Sequence, residues 1–275
     1  MLPVCVTCAA VFEEALVPPE RCPICDDPRQ WVPEGGQSWT SVAELARTHR
    51  NELCDEEAGL TGVGVVPEFA IGQRMLLVQT PAGNLLWDMI PLATDDAVRE
   101  VERRGGVLAI AVSHPHYYSG MVEWSRALGG TPILLHAADR DWVLRAQHSI
   151  EYWDGDRREL PGGLSLVRLG GHFPGGTVLH WPGGAGGKGA LLSGDIVHVL
   201  PHRRFVTFMW SYPNMLPLPA REVQRIASAV DELEFDRIWG AWWGRVLRSG
   251  AKEVVRRSVE HYVLAAQGLA EGRPP

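Results

Sequence analysis

No stretch of this 275-residue chain approaches the roughly 18 consecutive apolar residues that a membrane-crossing helix needs, so no membrane partner is expected. The first eight residues, Met1-Leu-Pro-Val-Cys-Val-Thr-Cys8, lack the basic head and apolar core of a secretory leader. A cytoplasmic, reducing location is therefore the expectation. Cysteine is scarce, with five in the chain. In a reducing compartment these read as metal ligands or free thiols rather than disulfides. Excess positive charge is also missing. Residues 1–58 hold four Arg or Lys against eleven Asp or Glu, whereas residues 59–275 hold 22 of each, so the first segment carries the whole net charge of −7. An acidic segment repels phosphate backbones, and nucleic acid is not an expected partner. No internal repeat is evident, and the Gly-rich turn 183–187 lacks the strand–GxxxxGK[ST]–helix setting of a phosphate loop. What remains is an ordinary globular composition, 45% apolar, long enough for one large core and a small appendage.

Four of the five cysteines fall in two pairs, Cys5-Val-Thr-Cys8 and Cys22-Pro-Ile-Cys25, with thirteen residues between them. Each CxxC presents two thiolates from a tight turn, and two such turns close a tetrahedron around Zn²⁺. The pattern resembles zinc-ribbon knuckles, and Cys22-Pro23-Ile24-Cys25 resembles the CPxC turn of rubredoxins. A segment this short has no core of its own, so its folding is expected to depend on a structural zinc. Residues 1–36 are taken as this ribbon-like segment and 37–275 as the second domain. The fifth cysteine, Cys54, is expected to be a small buried apolar residue.

Ser41 to about Glu57 reads as a helix capped by Ser38 or Thr40, with Val42, Leu45, Ala46 and His49 on one face. Strands follow at 63–69, 74–79 and 84–88, with Pro81-Ala-Gly-Asn84 as a hairpin turn. A helix capped by Thr94 spans 94–104. A buried strand then runs to Val112. Helices at 121–128 and 137–144 flank a strand at 132–135. Strands at 164–169, 177–181 and 190–193, a helix at 220–233, a strand at 237–240 and a closing helix at 251–270 complete the chain.

The strand ending at Val112 runs into Ser113-His114-Pro115-His116-Tyr117-Tyr118-Ser119-Gly120. Two imidazoles at i and i+2 in an extended loop point the same way, so one cation can receive both. Gly170-Gly171-His172-Phe173-Pro174-Gly175-Gly176 places a third His in a glycine-rich turn. Leu191-Leu-Ser-Gly-Asp195 and Asn84-Leu-Leu-Trp-Asp88 each end a strand on a carboxylate. Taken in chain order, Asp88 first, the four stretches resemble the signature of the metallo-β-lactamase superfamily over roughly residues 60–275. The resemblance implies an α+β fold, a four-layer αββα sandwich, here with a small N-terminal zinc ribbon. It also implies a first metal site of His114, His116 and His172, which Asp195 can join. The family's usual loop is HxHxDH. Its Asp falls here on Tyr118, its second His on Ser119, and its last His-Gly ligand on Trp243. All three departures fall on the second metal site, and Tyr118 and Trp243 are poor ligands for a divalent cation.

Three neutral imidazoles and a carboxylate suit zinc, with iron as the alternative. Asp195 serves as a fourth ligand or takes up a proton. The resemblance makes Asp88 the group that orients a ligand histidine through its other ring nitrogen. Tyr117 and Tyr118 are candidates for donating a hydrogen bond to an oxyanion. Trp242 and Trp243 are expected to line a pocket that takes an apolar group. His198 and His202 are expected at the surface, and His136, His148 and His180 in structural roles. The expected activity is a metal-dependent hydrolase acting on a small-molecule ester, thioester or lactone, with a homo-oligomer left open. The alternatives are a mononuclear iron oxidoreductase resembling the sulfur dioxygenases of the superfamily, and a non-catalytic binding module.

Overall fold

The strand Pro3–Cys5 pairs antiparallel with Trp39–Ser41, and between them the chain makes the turn at Cys8 and the helical turn Pro23–Asp26. The computed structural model describes residues 1–269, and the chain divides into two compact units, the first Met1–Asp154 and the second from Gly155 onward. The knuckle belongs to the first. Its small core consists of Cys5, Cys8, Ala10, Cys22, Ile24 and Cys25, with Phe12, Trp39, Trp142 and Leu144 packed against it. Phe12 and Trp39 meet edge to face, with ring centroids 5.1 Å apart.

The expected helix over 41–57 is only half present. Ser41, not Ser38 or Thr40, caps a helix over Val42–Thr48 by accepting from the Glu44 N–H, and the chain then turns into a strand, Arg50–Glu57. That strand pairs antiparallel with Leu60–Val66 across a tight turn in which Gly59 takes φ +80°. Cys54 lies on this edge strand and is exposed, not buried. The first unit's sheet has seven strands, in the order Arg50–Glu57, Leu60–Val66, Met75–Thr80, Gly83–Trp87, Ala109–Ala111, Ile133–His136 and Ile150–Trp153. The first four are antiparallel, and the last three join in parallel. The parallel steps need crossovers. Asp95–Arg103, capped by Thr94, supplies the helix of the first and Met121–Ala127 that of the second, and the third carries no α-helix. The segment 137–144 is a 3₁₀ turn over Ala137–Trp142 rather than an α-helix.

The second unit holds a six-stranded sheet, in the order Arg157–Glu159, Ser165–Arg168, Thr177–Trp181, Ala190–Gly194, Arg237–Gly240 and Val246–Leu247. The single parallel pair, Ala190–Gly194 beside Arg237–Gly240, is bridged by a connection that carries the helix Ala220–Asp231. Val223, Ile226 and Val230 share one face of that helix and are buried with Leu191, Phe208 and Ile238. Fully burying each such side chain contributes about 1.5–3 kcal/mol before entropy is counted. The closing helix spans Ala251–Ala266, and Ala270, the end expected from the sequence, lies outside the described residues.

Candidate metal centre

In the first unit, the histidine loop grows from the strand Ala109–Ala111. His114 continues it in an extended conformation (φ −171°, ψ 172°), and Pro115–Tyr117 then tighten into a 3₁₀ turn. Pro115 opens that turn at a position where no N–H is needed. Gly120 closes the loop because nothing larger fits: a Cβ there would stand 2.5 Å from the Ile90 carbonyl oxygen. Both His114 and His116 are buried. The Ser113 hydroxyl lies 2.8 Å from Nδ1 of His114, so it accepts when that nitrogen carries the proton. Nε2 is then left with a lone pair to offer a cation. Ser113 is itself fixed, since its backbone N–H donates to Oδ1 of Asp88 at 2.8 Å. Asp88 holds a left-handed backbone (φ +57°), a conformation a non-glycine residue keeps only where its surroundings dictate it.

In the second unit, His172 sits in the turn Gly170–Gly176. Gly170 and Gly171 take φ +65° and +99°, and a Cβ on Gly176 would fall 2.1 Å from the Gly170 oxygen. The glycines let the chain fold back tightly enough to present His172. Nδ1 of His172 donates to the Met209 carbonyl at 3.3 Å, which again leaves Nε2 as the donor atom. That Nε2 stands 3.7 Å from Oδ1 of Asp195, the buried carboxylate following the strand Ala190–Gly194. Tyr212 donates from its hydroxyl to the Asp195 backbone carbonyl, and its ring lies edge-on to His172 at 6.2 Å. Burial, with the Asp195 charge second, pushes its phenol well above the ordinary range, so it stays a donor. Nothing in the local sequence around Tyr212 marked it.

The ligand atoms of His114, His116 and His172 lie within 4.8 Å of one another, and so do those of Cys5, Cys8, Cys22 and Cys25. Three buried imidazoles with convergent nitrogens fit one borderline cation. The cysteines fit a structural one. Sulfurs at about 2.3 Å from a central zinc lie about 3.8 Å apart in a tetrahedron. The Cys5–Cys25 and Cys8–Cys22 Sγ separations are both 3.6 Å.

The other expected site residues stand differently. Tyr118 is buried, with its phenol pushed up by burial and then by Asp139. It faces a small cavity with Cys8, Ile24 and Trp142. Trp243 is 39% exposed. His198 is half-buried rather than exposed, between the rings of Tyr212 and Trp242 at 4.9 and 5.4 Å. Burial, followed by the Arg245 charge, holds its pKa down to about 4. His202 is exposed as expected, His180 bonds the Glu234 carbonyl at 2.8 Å, His136 accepts from the Ala138 N–H, and His148 is exposed.

No family model matches the chain. The uncharacterized protein YmaE of Bacillus subtilis (strain 168) is 42% identical over 264 residues, covering 95% of this chain and 96% of that protein. Among solved structures, VMB-1 at pH 5.5 is similar with a TM-score of 0.59 and 15% identity, over 79% of this chain and 98% of that one. The DIM-1 metallo-β-lactamase exposed to ceftazidime is similar with a TM-score of 0.55 and 14% identity, over 75% and 97%. The chemotaxis sensor ODP, in a peroxy diiron form, is similar with a TM-score of 0.54 and 16% identity, over 78% and 94%. At these identities the likeness shows the fold: the α+β metallo-β-lactamase sandwich expected from the four motifs, with the four-cysteine cluster near the N-terminus.

Proposed function

Because the chain belongs to the family of the Bacillus subtilis protein YmaE and carries the metallo-β-lactamase fold, we propose that it is a hydrolase working with one metal ion at His114, His116 and His172. The observation that carries this reading is the convergence of three buried imidazoles within 4.8 Å. Zinc is the metal proposed, and held by three imidazoles it supplies a Lewis acid and lowers the pKa of water to about 7. The chain's own groups do the rest. Ser113 and the Met209 carbonyl orient His114 and His172 through their Nδ1 atoms. Asp195, 3.7 Å from Nε2 of His172, is placed to join the ligands or to take a proton. The substrate class proposed is an ester, thioester or lactone, whose carbonyl carbon such a site attacks.

Tyr118, Ser119 and Trp243 stand where the superfamily resemblance puts the second metal's ligands, and none offers the charge or imidazole a second cation would need. Intact-protein mass spectrometry under native conditions tests the count. Two zinc ions per chain are expected, one lost in Cys22→Ser and the other in His116→Ala. Three per chain would contradict the single-metal reading. A solved diiron protein of this fold makes iron the second reading. Oxygen uptake by iron-loaded protein with a persulfide substrate would favour it over hydrolysis.

A further inference from the structure

We infer that the four-cysteine knuckle and the histidine site are energetically coupled: a cation held by Cys5, Cys8, Cys22 and Cys25 raises the metal affinity of the histidine site by fixing Ser119. The inference rests on the single-metal reading above and adds the regulation of that same site. The connection is a direct bond across 110 residues of chain. The Ser119 hydroxyl donates to the Ala9 carbonyl at 2.9 Å, and both groups are buried. Each partner holds a left-handed backbone without being glycine, φ +26° at Ser119 and +65° at Ala9. Such conformations persist only where the surroundings over-determine them.

At Ala9 the surroundings are the knuckle. Ala9 donates its N–H to the Cys5 carbonyl at 2.9 Å, and Cys5 donates to the Ala10 carbonyl at 3.0 Å, so Cys5 and Cys8 bracket the carbonyl that Ser119 grips. At Ser119 the surroundings are the histidine loop, three residues past His116. Between them lies a cavity of about 20 Å³, walled by Cys8, Ile24, His116, Tyr118 and Trp142. That is room for about one water. Close-packed walls pass a displacement on rather than absorb it. A second tie runs through buried Arg145, which donates to Glu123 at 2.6 Å on the helix after the loop and lies 4.0 Å from Glu13 of the knuckle segment. The knuckle's order depends on its cation, because a segment with so small a core folds with its metal. Ser119 is thus a positioning residue, and the knuckle cation acts through it.

Cobalt(II) titration separates the two sites, since only the knuckle gives thiolate-to-cobalt charge-transfer absorption. Ser119→Ala is expected to keep that absorption and to lower the histidine-site affinity about tenfold, the usual scale for losing a group that supports a ligand. Cys22→Ser is expected to lose the absorption and weaken the histidine site at least as much. Linkage is reciprocal, so His116→Ala should weaken cobalt binding at the knuckle by a comparable factor, which a merely structural knuckle would not do. A folded Ser119→Ala protein whose histidine site binds within about twofold of the unaltered chain overturns the coupling, and so does an unchanged knuckle in His116→Ala. If Cys22→Ser does not fold, these two variants decide. If the unaltered chain takes cobalt only at the knuckle, the single-metal reading falls first and the coupling with it.

Discussion

Nδ1 of His114 and Nδ1 of His172 each meet a hydrogen-bonding neighbour, and neither of these two neighbours is a carboxylate. The Ser113 hydroxyl serves His114 and the Met209 carbonyl serves His172. Ser113→Ala should therefore lower metal affinity at the histidine site by about 10–100-fold while leaving the fold intact, as measured by competition with a chromophoric chelator. His198 offers a second test. Its folded pKa of about 4 lies below the ordinary 6.5, so its neutral form stabilises the fold. That contribution is fully present above about pH 6.5 and is lost as pH falls toward 4. At pH 5 the loss amounts to about 2 kcal/mol. His198→Gln should show a correspondingly smaller drop in stability between pH 7 and 5 by urea titration, and an equal drop would show that His198 does not titrate this way. At this scale the clustered cysteines and histidines were legible in the sequence, because HxH, CxxC and a glycine-flanked His are the local patterns that coordination geometry favours. The roles of Tyr212, Ser113 and His198 were not, because each arises from packing between distant segments.

Elements were legible where pattern and packing agree. The helix capped by Thr94 carries its N-cap, acidic first turn and basic last turn in sequence and adopts them. Residues 41–57 show the opposite case. Glu52, Leu53, Glu56 and Glu57 favour helix by propensity. Pairing with Leu60–Val66 overrides it and makes Arg50–Glu57 a charged edge strand, which suits an edge because charge deters pairing with another chain. The turn that presents His172 yields a sharper expectation. Gly176→Ala would drive a Cβ to 2.1 Å from the Gly170 oxygen, so the turn must open. The variant should lose the histidine-site metal while retaining the metal at the four cysteines, counted by native mass spectrometry. Retention of both would mean that the turn tolerates more than its geometry suggests.

For the whole molecule, two cation sites imply two separable contributions to stability. A ligand at about 1,000 times its dissociation constant stabilises the folded state by about 4 kcal/mol. A strong chelator should therefore lower the melting temperature in two increments, with His116→Ala missing one of them in differential scanning calorimetry. A single increment in the unaltered chain would contradict two cations of separable affinity. Among the described residues no helix is long and apolar enough to cross a membrane. The bond from Ser119 to Ala9 also bears on how the protein is made. A ribosome adds about 5–20 residues per second, and Ala9 leaves it 110 residues ahead of Ser119. The four cysteines thus have on the order of ten seconds to gather their cation before the loop that leans on them exists. A cell short of that cation at that moment would release a chain whose histidine loop closes on an unformed support.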